Sequence, residues 1–155
     1  MAIDSPSSND PFNLNRFVVA QEPVYTRVLS ELNSGQKCSH WMWYIFPQVD
    51  GLGFSATSKL YAIKSVDEAR AYLNHPVLGP RLRECAQAVL AVEGRTASEI
   101  FGYPDDRKLK SCATLFTSVS NPGSVFERIL QKHFDGERDV RTLQILDSLE
   151  GTKSQ

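Results

Sequence analysis

Long apolar runs are missing from this chain. None approaches the roughly 20 residues that a membrane-spanning helix needs, so no membrane partner is expected. Met1-Ala2-Ile3-Asp4-Ser5 has neither the basic region nor the apolar core of a signal peptide, which makes the cytoplasm the expected location. An excess of positive charge is missing too. Lys+Arg number 17 against 18 Asp+Glu, a formal net charge of -1. That balance supplies no global field for nucleic acid, and no nucleic-acid partner is expected. Cysteine is scarce. Cys38, Cys85 and Cys112 are widely spaced and odd in number, which reads as free thiols in a reducing compartment. Cys38-x-His40 is the nearest approach to a metal-ligand pair, so neither a metal nor another cofactor is expected.

What the chain has in quantity is helix punctuation. At 155 residues, with 41% hydrophobic content, it is long enough for one domain with a real core. Residues 1–11 are polar and are expected to be a disordered tail. The domain is expected over 12–148, with 149–155 frayed. Leu14, Phe17 and Val18 recur at helical spacing, and Pro23 leads into a helix carrying Val24, Val28, Leu29 and Leu32. Lys59 to Ile63 reads as a helical turn. Ser65-Val66-Asp67-Glu68, Thr96-Ala97-Ser98-Glu99 and Ser124-Val125-Phe126-Glu127 have the form of capping boxes. The first opens a helix with Val66, Ala69, Tyr72 and Leu73 inward, which His75-Pro76 ends. Leu78, Leu82, Cys85, Ala86, Val89 and Leu90 trace one face of a longer helix, on which Arg81, Arg83 and Glu84 read as solvated, Arg81 being also an anion-contact candidate. A helix from Pro104 places Asp105, Leu109, Cys112, Ala113 and Phe116 on one stripe, with Lys108 at its edge and Arg107, Lys110 and Thr114 opposite. Asp139 can cap a last helix through Val140, Leu143, Ile145 and Leu146. With no hairpin signal, the fold class is all-α: a single compact multihelical domain of about seven or eight short helices.

The densest stretch is His40-Trp41-Met42-Trp43-Tyr44-Ile45-Phe46-Pro47-Gln48, followed by the loop Val49-Asp50-Gly51-Leu52-Gly53-Phe54-Ser55. Composition alone fits a strand as well as a helix. No other segment reads as a strand partner, and a lone strand leaves its backbone groups unpaired, so a short buried helix capped by Ser39 is expected. Packing alone accounts for buried aromatics. An apolar wall beside a few placed polar groups is also the composition of a ligand pocket. Trp41 and Trp43 fall on different sides of a helix, so one ring at most faces a given pocket. Gly51-Leu52-Gly53-Phe54-Ser55-Ala56 matches G-x-G-x-x-A, but the pattern needs a strand before it and alternating βα units around it. A turn followed by an N-cap explains the same residues.

The segments His40 to Gln48, Tyr72-Leu73-Asn74-His75-Pro76-Val77-Leu78-Gly79-Pro80-Arg81-Leu82 and Ile100-Phe101-Gly102-Tyr103-Pro104-Asp105-Asp106-Arg107-Lys108-Leu109 resemble a family catalogued as domain of unknown function 1810. Some of its bacterial members are labelled calpastatin, read here as a naming artefact. The resemblance covers about residues 12–146. It implies a small cytosolic multihelical protein and carries over no catalytic residue. From the residues themselves, a site for a nucleotide-like or other planar polar small molecule is expected where the His40–Ser58 segment meets the helix begun at Pro104. Ligand-binding candidates are Trp43, Tyr44, Gln48, Ser55, Ser58 and Tyr61. His40, Asp106 and Lys108 are the candidates for proton transfer, with hydrolysis as the reaction class. The alternatives are a non-catalytic helical protein-interaction module and a plain structural or dimerising domain.

Overall fold

The aromatic run divides at helical spacing. Trp41, Met42, Ile45 and Phe46 are each at most 2% exposed, whereas Trp43 and Tyr44 are half-buried at the rim. Positions i, i+1, i+4 and i+5 share one helix face, so one face of a single turn supplies the plug and the other a surface. Trp41, Phe46 and Phe101 pack against one another with ring centroids 5.9 to 6.4 Å apart. Ser39 does not cap this turn. Its hydroxyl and backbone N–H both donate to Glu31, as do the Cys38 N–H and the Trp41 indole N–H.

These residues belong to a computed structural model that describes residues 9–153. Of the tail expected over residues 1–11, residues 1–8 lie outside the described residues, as do the last two of the frayed end expected over 149–155. Within them, both carboxylate oxygens of Asp10 accept from the first turn of a helix, at 2.7 Å from Leu14 N and 2.9 Å from Asn15 N. That is α1 (Asn15–Gln21). It is followed by α2 (Tyr25–Asn33), α3 (Met42–Ile45), α4 (Ala56–Leu60) and α5 (Val66–Asn74). Then come α6 (Leu78–Ala91), α7 (Ala97–Phe101), α8 (Asp105–Thr117), α9 (Val125–Phe134) and α10 (Val140–Lys153). The described residues thus form ten helices and no strand, an all-α domain. The number exceeds seven or eight because α3, α4 and α7 are single turns of four or five residues.

Two longer helices organise the packing. α6 contacts α2, α5 and α9, and α8 contacts α7, α9 and α10. The side chains from Ser111 to Phe116 are all buried, so α8 is covered on every side in its middle turns. Its hydroxyls are satisfied locally: Ser111 Oγ donates to Arg107 O at 3.2 Å and Thr114 Oγ1 to Lys110 O at 2.8 Å. Thr114 was expected on the exposed side but is fully buried, because the segment leading into α10 covers it and Asp139 N donates to its Oγ1 at 2.8 Å. Lys110, on that same side, pairs with Glu137 at 2.9 Å.

α10 buries a mixed polar and apolar face. Val140 and Leu143 are 62% and 39% exposed, while Thr142 is fully buried and Leu146 nearly so. Asp139 does cap this helix, accepting from Thr142 N at 2.9 Å. Arg81 is no solvated position: it pairs with Glu22 at 2.9 Å and lies over the Tyr25 ring. His75 ends α5 and also begins α6, its Nδ1 accepting from Val77 N and Leu78 N.

Only Thr96–Glu99 is a complete capping box. Ser65 and Ser124 cap as expected, but the glutamate of each pair accepts from the residue before the cap, Lys64 N and Gly123 N. Glu68 thereby stays buried, paired with Arg16 at 2.8 Å. The loop after the aromatic run is closed at its base by a single parallel bridge between Val49 and Ile63. Asp50 N donates to Ile63 O, and Ile63 N to Gln48 O. The helical turn expected over Lys59–Ile63 therefore sits earlier, as α4, and Ile63 is extended.

Candidate functional site

Residues 48–58 leave the aromatic plug and lie between the starts of α8 and α10. Gly51 adopts φ +107°, a conformation open to glycine, and a Cβ there would meet Ile145 of α10 at 3.3 Å. At Gly53 a Cβ would lie 2.6 Å from the Ser58 side chain, so the backbone can fold onto α4 only because this residue has none. The two glycines of the G-x-G-x-x-A pattern therefore serve close packing. Ser55 caps α4, its Oγ accepting from Ser58 N at 3.1 Å and donating to Ser58 Oγ at 2.9 Å.

Against this loop opens a cleft of about 320 Å³. Gln48, Leu52, Gly53 and Ser58 form one wall, Pro104, Arg107, Lys108 and Ser111 the second, and Asp139 and Arg141 the third. The α8 wall is a stripe at i, i+3, i+4 and i+7, the spacing that puts side chains on one helix face. Behind it, a slot of about 20 Å³ runs between Trp43, Tyr61 and Ala62 and shares Gln48, Gly53 and Ser58 with the cleft. It has room for about one water molecule.

The charge of the cleft is one-sided. Arg107 and Arg141 have no ion-pair partner among the described residues. Arg107 lies 5.6 Å from the Tyr103 ring, and Arg141 reaches across to Gly51 O at 3.4 Å. The Lys108 ammonium sits 5.4 Å from the Trp43 ring and 3.7 Å from Asp105. Asp105 is more closely engaged by Lys37 at 2.8 Å, a lysine that is nearly buried and also covers the Trp41 ring. Asp139 is the one carboxylate lining the cleft, and its Oδ2 is taken by the N–H and hydroxyl of Thr142. Three cations therefore face a cleft whose single acid is committed to holding a helix end.

Of the residues singled out from sequence, Gln48, Ser58 and Lys108 line this cleft, and Trp43 and Tyr61 line the slot behind it. Ser55 is one hydrogen bond away. Tyr44 packs on Tyr61 with ring centroids 5.3 Å apart, and burial, with the Tyr61 phenol beside it, holds its phenol above the usual range. His40 is exposed ahead of the plug, its carbonyl accepting from the Tyr44 hydroxyl at 3.5 Å. Asp106 turns its Oδ1 to the Arg107 N–H. Neither His40 nor Asp106 lines the cleft. The other lining residues are not among the site candidates: by sequence Arg107 falls on the exposed side of its helix and Asp139 at a helix cap, and Ser111 and Arg141 have no assigned role. The signal that could group Arg107, Lys108 and Ser111 is their helical spacing after Pro104, but nothing in the local pattern brings Arg141 to them. No three His, Cys, Asp or Glu side chains among the described residues converge on a metal position, and no helix among them is long and apolar enough to cross a membrane.

No curated protein matches the chain. A solved structure does. It is the crystal structure of the conserved hypothetical protein Rv1873 from Mycobacterium tuberculosis, 50% identical, with a TM-score of 0.88 over 89% of this chain and 99% of that one. The family model described as "Protein of unknown function (DUF1810)" matches residues 11–146. The chain belongs to that family.

Proposed function

We propose that the cleft between the 48–58 loop and the starts of α8 and α10 binds a small phosphate-bearing, nucleotide-like molecule. One observation carries this reading: Arg107, Lys108 and Arg141 line a cleft of ligand size in which no free carboxylate answers them. Guanidinium forks match phosphate oxygens in shape and charge, which makes an anion the complementary occupant. The Gln48 amide and the Ser58 hydroxyl are placed to orient the polar remainder. Trp43 supplies an aromatic edge nearby, although the Lys108 ammonium already covers one face of its ring. The reading is one of binding. Of the three candidates for proton transfer only Lys108 lines the cleft, where it pairs with Asp105 and lies by the Trp43 ring, while His40 and Asp106 stand away from it.

Thermal shift against inorganic phosphate, AMP and ADP tests this. A ligand at about a hundredfold its Kd stabilises by about 2.7 kcal/mol, which moves Tm by several degrees. Arg107→Met and Arg141→Met are each expected to weaken binding about tenfold, the loss of one charge-assisted contact, while leaving the Tm of the free protein unchanged. If none of the probes raises Tm, or if the double variant responds as the parent does, the reading fails. A non-catalytic interaction module is the second reading. Phe54 and Tyr103, 81% and 75% exposed, favour it. It gains if replacing them abolishes a protein complex while phosphate and nucleotides have no effect.

A further inference from the structure

α8 has a second cleft at its other end. Its 13 residues span about 20 Å, and the loop that follows, residues 119–124, forms one wall of a cavity of about 520 Å³. The last turn of α5 contributes Arg70, Leu73 and Asn74, and α6 contributes Arg83 and Gln87 one turn apart. This is the larger of the two clefts, about 520 Å³ against about 320 Å³.

Its cationic side chains are not loose surface groups of equal standing. Arg83 is positioned by the backbone: its Nη1 donates to Leu73 O at 3.2 Å, where α5 ends. Gly79 makes that contact possible. A Cβ at residue 79 would lie 2.1 Å from the same carbonyl and 3.0 Å from Arg83 Nη1, so the bare backbone there sets both α5 and the guanidinium in place. One nitrogen is thus fixed, and the other N–H groups of Arg83 have no protein acceptor among the described residues. Arg70 makes only a surface pair with Asp67 at 3.5 Å.

No aspartate or glutamate among the described residues lines the cleft. Asn74, Gln87 and Asn121 also line it, and their side-chain amides have no hydrogen-bond partner among the described residues. Arg16, Lys37, Arg81 and Lys132, by contrast, are each spent on a carboxylate, carbonyl or ring of the fold. Leu73 and Phe126, both buried, give the cavity an apolar floor.

From this arrangement we infer that the α5–α6–α9 cleft binds a small phosphorylated, hydroxyl-rich molecule, a sugar phosphate in chemical class. The two guanidiniums take the phosphate in the bidentate manner that favours arginine over lysine. The three amides each offer a donor and an acceptor, the pairing that a hydroxyl satisfies. The inference stands independently of the first cleft.

The test is a titration of the intact ¹⁵N-labelled protein with ribose 5-phosphate, ribose and inorganic phosphate, followed by two-dimensional amide NMR. Ribose 5-phosphate is expected to shift the side-chain amides of Asn74, Gln87 and Asn121 and the Gly123 N–H saturably. Inorganic phosphate should bind about tenfold more weakly, and ribose not measurably. Arg70→Met, at an exposed position, should raise the Kd about tenfold with the spectrum otherwise unchanged. Arg107→Met in the first cleft should leave these shifts intact. Arg83→Met also removes the brace on Leu73, so Arg70→Met and Gln87→Ala decide the matter if it does not fold. The inference is overturned if no saturable shifts occur at millimolar ligand, if they map to Gln48 and Ser58 instead, if inorganic phosphate binds as tightly as the sugar phosphate, or if Arg70→Met and Gln87→Ala both bind as the parent does.

Discussion

The Glu31 carboxylate collects the turn that precedes the aromatic plug. It accepts from Cys38 N at 2.8 Å, Ser39 N at 3.0 Å and Trp41 Nε1 at 2.9 Å, and from the Ser39 hydroxyl. Partial burial pushes its pKa up, but the hydrogen bonds outweigh that and hold it down at about 2. A carboxylate with this many donors is a structural joint between α2 and the start of α3, and its charge is what makes each bond strong. Glu31→Gln keeps the shape but offers one acceptor oxygen and an unwanted NH₂ group. It is expected to destabilise the fold by about 2 kcal/mol, measured by urea unfolding with an unchanged m-value. A loss below a few tenths of a kcal/mol would mean that water serves these donors equally well.

At the scale of elements, the loop over α4 shows what packing demands. Gly53 has ordinary φ, so its requirement is space alone: the 2.6 Å approach to Ser58 leaves no room for a methyl group. Gly53→Ala should lift the loop from α4 at a cost of about 1–3 kcal/mol. Adding Ser58→Gly removes the obstructing side chain. Although glycine in a helix itself costs about 1 kcal/mol, the double variant is expected to be more stable than the sum of the two single changes predicts. Strict additivity in the double-mutant cycle would exclude the clash as the cause.

Helix faces were legible in the sequence wherever the buried stripe is apolar: Val66, Ala69, Tyr72 and Leu73 of α5 are all buried as their spacing implies. They were illegible where polar groups point inward. Thr114 and Thr142 are fully buried because Asp139 joins them by hydrogen bonds, and a hydrophobic pattern scores a threonine as outward. The expectation that a site forms where the His40–Ser58 segment meets the helix begun at Pro104 rests on composition. Arg141 was beyond reach, since a residue 90 positions from Gly51 joins the cleft only through tertiary packing.

For the molecule as a whole, His133 and Glu31 give the fold two responses to acid, and Glu99, its carboxyl also held below 4.5 by the Thr96 N–H in the capping box, adds to the lower one. His133 is half-buried on α9, its Nε2 without a partner among the described residues. Burial, and then the neighbouring Lys132 charge, lower its pKa from the ordinary 6.5. Between that lowered value and 6.5 the unfolded chain binds a proton that the folded chain refuses, so stability falls as pH drops through this window and levels off below it. Glu31 acts in a lower window. Its folded pKa lies below the ordinary 4.5, so its contribution is complete above 4.5 and disappears as pH falls through about 2. Stability measured against pH should therefore be level just above neutrality and descend in two separate steps toward acid, and it should fall again as pH rises past 9.0, where the unfolded chain ionises the Cys85 and Cys112 thiols that burial keeps protonated in the fold.

His133→Leu removes the group that must protonate and the orphaned nitrogen together, so it should abolish the upper step without lowering stability at pH 7. Glu31→Gln should leave that step in place and reduce the lower one. Thermal unfolding of the parent and both variants across this pH range reads both outcomes. A single acid transition that neither variant alters would place the control of acid stability in other groups.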